Sequence, residues 1–159
     1  VYTIGYGSMT PAKLNGIAQA LGAAVVDIRF RAASQRTEWN YSAMKRFFGD
    51  RYVHLPTLGN KAYKTGGMEI ADYARGKAAI EQMEQPVILL CACYAPGGCH
   101  RTVVGELLRR DGYTVTELTK HALERLLAAA LSTPPTSPTT TRDDDASHNA
   151  AGQLSLWET

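Results

Sequence analysis

Two short segments constrain this chain more than any other feature: Ala24-Val25-Val26-Asp27-Ile28 and Val87-Ile88-Leu89-Leu90-Cys91. Each is apolar at successive positions rather than alternate ones, the first of them until Asp27, so a strand built from it has no face to give to water. Strands of that kind belong to parallel sheets covered by helices on both sides. The intervening segments supply the helices. Thr10 is a good N-cap, Pro11 suits the first helical position, and Leu14, Ile17, Ala18 and Leu21 share one apolar face that Gly22 can close. Ser42–Phe48, Met68–Glu84, His100–Arg110 and Thr119–Leu131 read as further helices, with Gly76 weakening the second of these by about 1 kcal/mol. Val1–Ile4, Tyr52–Leu55 and Tyr113–Leu118 read as further strands. The alternation predicts an α/β domain over residues 1–131, a three-layer Rossmann-like fold with a mostly parallel sheet and helices on both faces.

After Leu131 the composition changes to Ser, Thr and Pro and then to Arg142-Asp143-Asp144-Asp145. A stretch with so little apolar surface cannot offset the entropy of ordering it, so residues 132–152 are expected to be a disordered linker. It ends in Gln153-Leu154-Ser155-Leu156-Trp157, where apolar residues return. Charge divides at the same place. Residues 1–131 carry 16 Lys and Arg against 11 Asp and Glu, whereas residues 132–159 carry one against four. Eight of the basic residues fall between Asp27 and Lys64, a clustering that suits phosphate neutralisation. No apolar run approaches the ~20 residues that span a bilayer, and residues 1–20 lack the continuous apolar stretch of a signal peptide. Three cysteines crowded into Cys91–Cys99 do not make a secreted disulfide framework. The expected location is cytoplasmic, at the nucleoid if DNA is the partner.

In open parallel sheets the ligand crevice lies beyond the carboxyl ends of the strands. Gly5-Tyr6-Gly7-Ser8, Asp27 to Arg31 and Cys91 to Arg101 all fall there. Asp27 and Arg29, two residues apart, project from one side of the chain, giving a carboxylate for general-base work or charge stabilisation beside a phosphate-binding guanidinium. A structural Asp-Arg pair is the plain alternative. His100, Arg101 and the free N–H groups at the start of their helix suit an anionic substrate, with Cys91 in the core. Cys99 near the same terminus offers a thiol of lowered pKa, and zinc on Cys91, Cys93, Cys99 and His100 is a third possibility. The candidate catalytic residues are therefore Asp27, Arg29, His100 and Arg101. Gly5, Tyr6, Gly7, Ser8, Arg31, Arg36 and Cys99 are the candidate substrate-binding residues, and no cofactor is required beyond the zinc alternative.

Tyr2-Thr3-Ile4-Gly5-Tyr6-Gly7-Ser8, Val26-Asp27-Ile28-Arg29, Tyr52-Val53-His54-Leu55-Pro56 with Leu58-Gly59, and Leu89-Leu90-Cys91-Ala92 followed by Cys99-His100-Arg101 occur in that order over most of residues 1–118. In these motifs the chain resembles the DUF488 family of small bacterial and phage domains. The resemblance implies this fold and a site at these motifs but assigns no reaction. Tyr6 stands where that family often has histidine. Gln153-Leu154-Ser155-Leu156-Trp157 resembles the pentapeptide by which bacterial proteins dock on the replication sliding clamp, with Trp157 in place of Phe. Glutamine would bond at a pocket rim while leucine and the aromatic ring enter apolar pockets. Folding back onto the domain is the other use for such a segment.

These readings together lead to a DNA-processing enzyme recruited to the clamp, acting on a damaged or modified base by glycosylase-like hydrolysis. Asp27 would activate water, and Arg29, His100 and Arg101 would hold phosphates. A non-catalytic DNA or clamp adaptor and a cytosolic thiol or nucleotide-processing enzyme are the alternatives.

Overall fold

The computed structural model describes residues 1–7 and 9–125. Ser8, the expected linker at 132–152 and the expected docking peptide at 153–157 lie outside the described residues.

The first strand, β1 (Tyr2–Gly5), leads into helix α1 (Pro11–Ala20). Thr10 caps that helix, its hydroxyl accepting from the Lys13 N–H at 3.3 Å, and Leu14, Ile17 and Ala18 form the buried face. Gly22, at φ 57°, reverses the chain where a side chain would be strained. There follow β2 (Ala24–Asp27), α2 (Tyr41–Phe48), β3 (Tyr52–His54), α3 (Tyr73–Glu81), β4 (Val87–Cys91), α4 (His100–Arg110) and β5 (Thr116–Glu117). The strands form one sheet in the order β3-β2-β4-β1-β5. Every pairing is parallel, so the sheet goes further than the mostly parallel one expected.

Alternation along each strand divides the core in two. Ile4, Val25, Ile88 and Leu90 pack with Leu14 and Ile17 of α1 and Met44 and Phe48 of α2. Val26, Val87, Leu89 and Cys91 pack on the other face with Ile80 of α3 and Val104 and Leu108 of α4. The continuous apolar runs of β2 and β4 are thus explained: both faces of the central strands are covered. β2 and β4 are neighbours, yet the segment after β2 leads to α2 on one face and the segment after β4 to α4 on the other. A crevice opens where adjacent strands send their connections apart.

Two elements are shorter than their sequence pattern. The helix expected from Met68 begins only at Tyr73, because Asp72 caps it by accepting from Arg75 N–H at 3.0 Å. Residues before it are drawn back toward the loop after β3: Ile70 bridges Asn60, Ala71 N–H donates to Gly59 at 3.0 Å, and Asp72 N–H donates to Thr57 at 2.8 Å. Gly76, a weakness by helix propensity, is where α3 meets that loop; a Cβ there would lie 2.4 Å from Leu58 Cδ2. The last strand contracts to Thr116–Glu117, and residues 120–125 begin the helix expected after it. Among the described residues no helix is long and apolar enough to cross a membrane.

Candidate functional site

The register aligns Asp27 with Leu90 and Gly5 with Cys91, so β1, β2 and β4 end at one level. Beyond that edge the loops enclose one centre and leave a second one open.

The closed centre belongs to Asp27, which is completely buried. One carboxylate oxygen accepts from Arg29 N–H at 3.1 Å and Arg29 Nε at 2.8 Å; the other accepts from Tyr52 Oη at 2.6 Å and from Arg29 Nη2. Arg29 is itself buried, donating also to Trp39 O at 2.7 Å and Tyr6 Oη at 3.1 Å. Burial opposes its charge, but the hydrogen bond and charge of Asp27 outweigh that and raise its pKa above the usual arginine value. Burial and then the Asp27 carboxylate push the Tyr52 phenol well above its usual value. Tyr6 offers no open face: it is stacked on Trp39 with ring centroids 4.2 Å apart and is 5% exposed. Arg36 is spent as a strap, donating to the carbonyls of Tyr6, Gly7 and Met9 at 3.3, 3.2 and 2.6 Å. Gly5 and Gly7 serve close approach of backbone, since a Cβ on Gly5 would lie 1.8 Å from Cys93 O and one on Gly7 would lie 2.9 Å from Tyr94 Cα.

The open centre sits at the start of α4. Cys91 ends β4 with its side chain on the α4 face, and Cys99 is the N-cap residue of that helix. Their sulfurs are 3.1 Å apart. The sulfurs of Cys91, Cys93 and Cys99 all lie within 4.8 Å of one another, so the three can bind a metal. Arg101, 1% exposed, donates through Nη1 to Cys91 Sγ at 3.0 Å, Cys99 Sγ at 3.4 Å and Cys93 O at 3.1 Å, and its Nε donates to Glu117. Hydrogen bonds from Cys91 and Cys93, helped by His100 and the Arg101 backbone, hold the Cys99 thiol well below the usual cysteine range despite burial. Hydrogen bonding to Cys93 and Cys99 together with burial pushes Cys91 up. His100 Nε2 lies 3.1 Å from the Ile28 carbonyl, which can only accept, so Nε2 bears a proton. Burial works against its second proton, but hydrogen bonds to Cys93 and Cys99 and the charge of Cys99 raise its pKa to about 9.

Beside this cluster lies a cleft of about 270 Å³ lined by Arg29, Phe30, Arg31, Ala33, Asn60, Tyr63, Ala92, Cys93 and His100. No carboxylate is among these lining residues. Phe30 and Tyr63 are exposed and tilted against each other at its wall, with centroids 6.3 Å apart. Asn60 holds the far wall by donating to Gly67 O at 2.7 Å while accepting from Ala62 and Glu69 N–H at 3.0 and 2.9 Å. Gly59 lets that wall close up, because a Cβ would stand 2.5 Å from Phe30 N.

Comparison of the chain with protein-family models, curated proteins and solved structures found no match. The resemblance to the DUF488 family therefore rests on its motifs alone.

Of the four residues expected to share a crevice, Arg29 and His100 meet at this cleft, while Asp27 and Arg101 are enclosed away from it. Arg31 lies at the cleft; Cys99 lies behind it, and Cys93, expected only as a zinc ligand, is in its wall. Sequence reasoning missed Phe30, Asn60 and Tyr63. Leu58-Gly59 is visible as a motif, but the contact that makes it matter is with Phe30, about thirty residues earlier. The basic cluster is also smaller in effect than in sequence. Arg29, Lys45 and Lys61 are in ion pairs and Arg51 donates to Asn15, whereas Arg31, Arg46 and Lys64 are exposed and make no ion pair with another described residue.

Proposed function

We propose that this chain acts on single nucleotide units of DNA, with its substrate in the cleft between the β2 and β4 loops and its reaction centre at the Cys93, Cys99 and His100 floor. The observation that carries this is the cleft itself: Arg31 and His100 in a lining that holds no acid, with two aromatic rings beside them, while the charge of Arg29 at its edge is already matched by Asp27. Such a surface suits an anion joined to a planar ring. Its volume, about 270 Å³, falls just below the ~300–1,000 Å³ of sites for drug-sized ligands, so it suits one base or nucleotide rather than a longer strand. A unit taken from DNA would be turned out of its stack to enter. The pentapeptide at residues 153–157 would bring the enzyme to DNA through the bacterial sliding clamp and so place it at the nucleoid.

Glycosylase-like hydrolysis with water activated by Asp27 is not the mechanism this geometry favours. Both Asp27 oxygens are already occupied and the residue is wholly buried. A thiol and imidazole at the floor of an electropositive cleft fit the reading better.

The test is to incubate the full chain with normal, damaged and modified DNA, with and without the clamp, and to analyse the products by mass spectrometry. The reading expects one DNA class to yield an altered base or nucleotide, with loss of product in Cys93→Ser and loss of clamp stimulation in a Leu156→Ala, Trp157→Ala double variant. DNA retained without product would make the chain an adaptor. Product formed equally well by Cys93→Ser would remove the thiol from the chemistry.

A further inference from the structure

We propose that Cys91, Cys93 and Cys99 hold a zinc ion at the floor of the cleft, with His100 Nδ1 as the fourth donor. The inference concerns the same floor but goes beyond the nucleotide reading and stands on metal content, whatever the substrate.

The sulfurs carry it first. Cys91 and Cys99 Sγ are 3.1 Å apart, closer than van der Waals contact between thiols, and Cys93 Sγ completes a group within 4.8 Å. A tetrahedral ion with Zn–S bonds of ~2.3 Å keeps its sulfurs ~3.8 Å apart, so the three are near enough to share one once Cys91 and Cys99 part slightly. A Cys91–Cys99 disulfide would account for one pair only. It would leave the Cys93 sulfur, within 4.8 Å of both, outside the bond.

The surroundings carry it further. Ligating histidines commonly give their other N–H to a backbone carbonyl, which fixes the tautomer and aims the free nitrogen at the metal. His100 has the outer half of this arrangement, Nε2–H tied to Ile28 O at 3.1 Å, but its ring lies outside the 4.8 Å group that the three sulfurs form, so Nδ1 would have to move closer to complete the set. Arg101 Nη1 donates to the sulfurs of both Cys91 and Cys99, as outer N–H groups do around metal thiolates. Three thiolates exceed the charge of a divalent ion by one, and the Arg101 guanidinium opposes that excess within the fold. Three soft sulfur donors and an imidazole select zinc over the oxygen-seeking cations magnesium and calcium. Cys93 and His100 also line the cleft, so the ion would lie within reach of whatever enters it.

The full chain, expressed with zinc in the medium and purified without chelator, is assayed by inductively coupled plasma mass spectrometry. Cobalt exchanged into the protein reports the ligands by its absorption spectrum. One zinc per chain, with cobalt bands showing tetrahedral thiolate ligation, is the expected result. Cys93→Ser, at a partly exposed position, should lose most of the bound metal at micromolar protein while keeping the far-ultraviolet circular dichroism of the parent. A reduced wild-type chain that is folded, isolated without metal and unable to take up zinc or cobalt overturns the proposal. So does recovery of a Cys91–Cys99 disulfide as the resting state. DNA inactivity of a zinc-loaded chain would count against the nucleotide reading and leave the metal site standing.

Discussion

Asp27 and Cys99 invite comparison, because each is a buried ionisable group beside an arginine at the carboxyl edge of the same sheet. Asp27 lies on the α1/α2 face and Cys99 on the α3/α4 face. Around Asp27 every acceptor position has a donor, and Tyr6, Trp39 and Tyr52 seal what remains. Around Cys99 the sulfurs crowd together, and Cys93 and the His100 ring reach a cleft. A charged residue at a strand end thus marks a functional site only when it keeps unused bonding capacity and access to solvent. A carboxylate with all its partners inside the fold stabilises the fold.

The comparison breaks most visibly at Asp27. Replacing it by Asn leaves Arg29 charged, buried and without its counter-ion, so a loss of about 3–5 kcal/mol is expected in urea unfolding. A variant that lost DNA activity at unchanged stability would return Asp27 to the chemistry. Tyr52→Phe tests the same network more gently. It removes one hydrogen bond to a charged group and should cost about 1.5–3 kcal/mol at neutral pH. Because the Tyr52 pKa is raised in the folded state, chiefly by burial and then by Asp27, its contribution is complete below the unfolded tyrosine value of about 10 and is lost as pH rises above it. The Phe variant should therefore show a shallower loss of stability above pH ~10, measured by denaturant titrations across the alkaline range. The smallest structural effect is expected on the open side. Arg31→Glu, at an exposed rim position, should alter stability by no more than about 0.5 kcal/mol. It should weaken DNA binding at low salt and reduce the slope of log affinity against log salt by about one. Unchanged binding would show that the cleft rim does not meet phosphate.

Much of the fold was legible because its signals are local. Thr10, Pro11 and Gly22 bracket α1 by capping chemistry confined to one turn at each end. The kinship of Asp27 and Arg29 was legible for the same reason, since residues two apart on an extended chain share a side. The helix expected from Met68 was not. Its first turn satisfies the sequence pattern but loses to bonds with Thr57, Gly59 and Asn60, partners that the helical period cannot reveal. The site shows the same division. The segments after β1, β2 and β4 were legible as places, whereas Phe30, Asn60 and Tyr63 come together only once the loop after β3 has packed against the loop after β2.

Val25-Val26 and Val87 to Leu90 offer no polar side to water, so coverage of the central strands on both faces follows from the residues alone. That coverage entails the parallel sheet and the gathering of its loops at one edge. Which side chains at that edge are enclosed and which are open depends instead on how the loops pack. Strand order and the face taken by each crossover put Tyr52 against Asp27, and His100 against Ile28. Those partners are far apart in the chain, and no local pattern of residues encodes the distance between them.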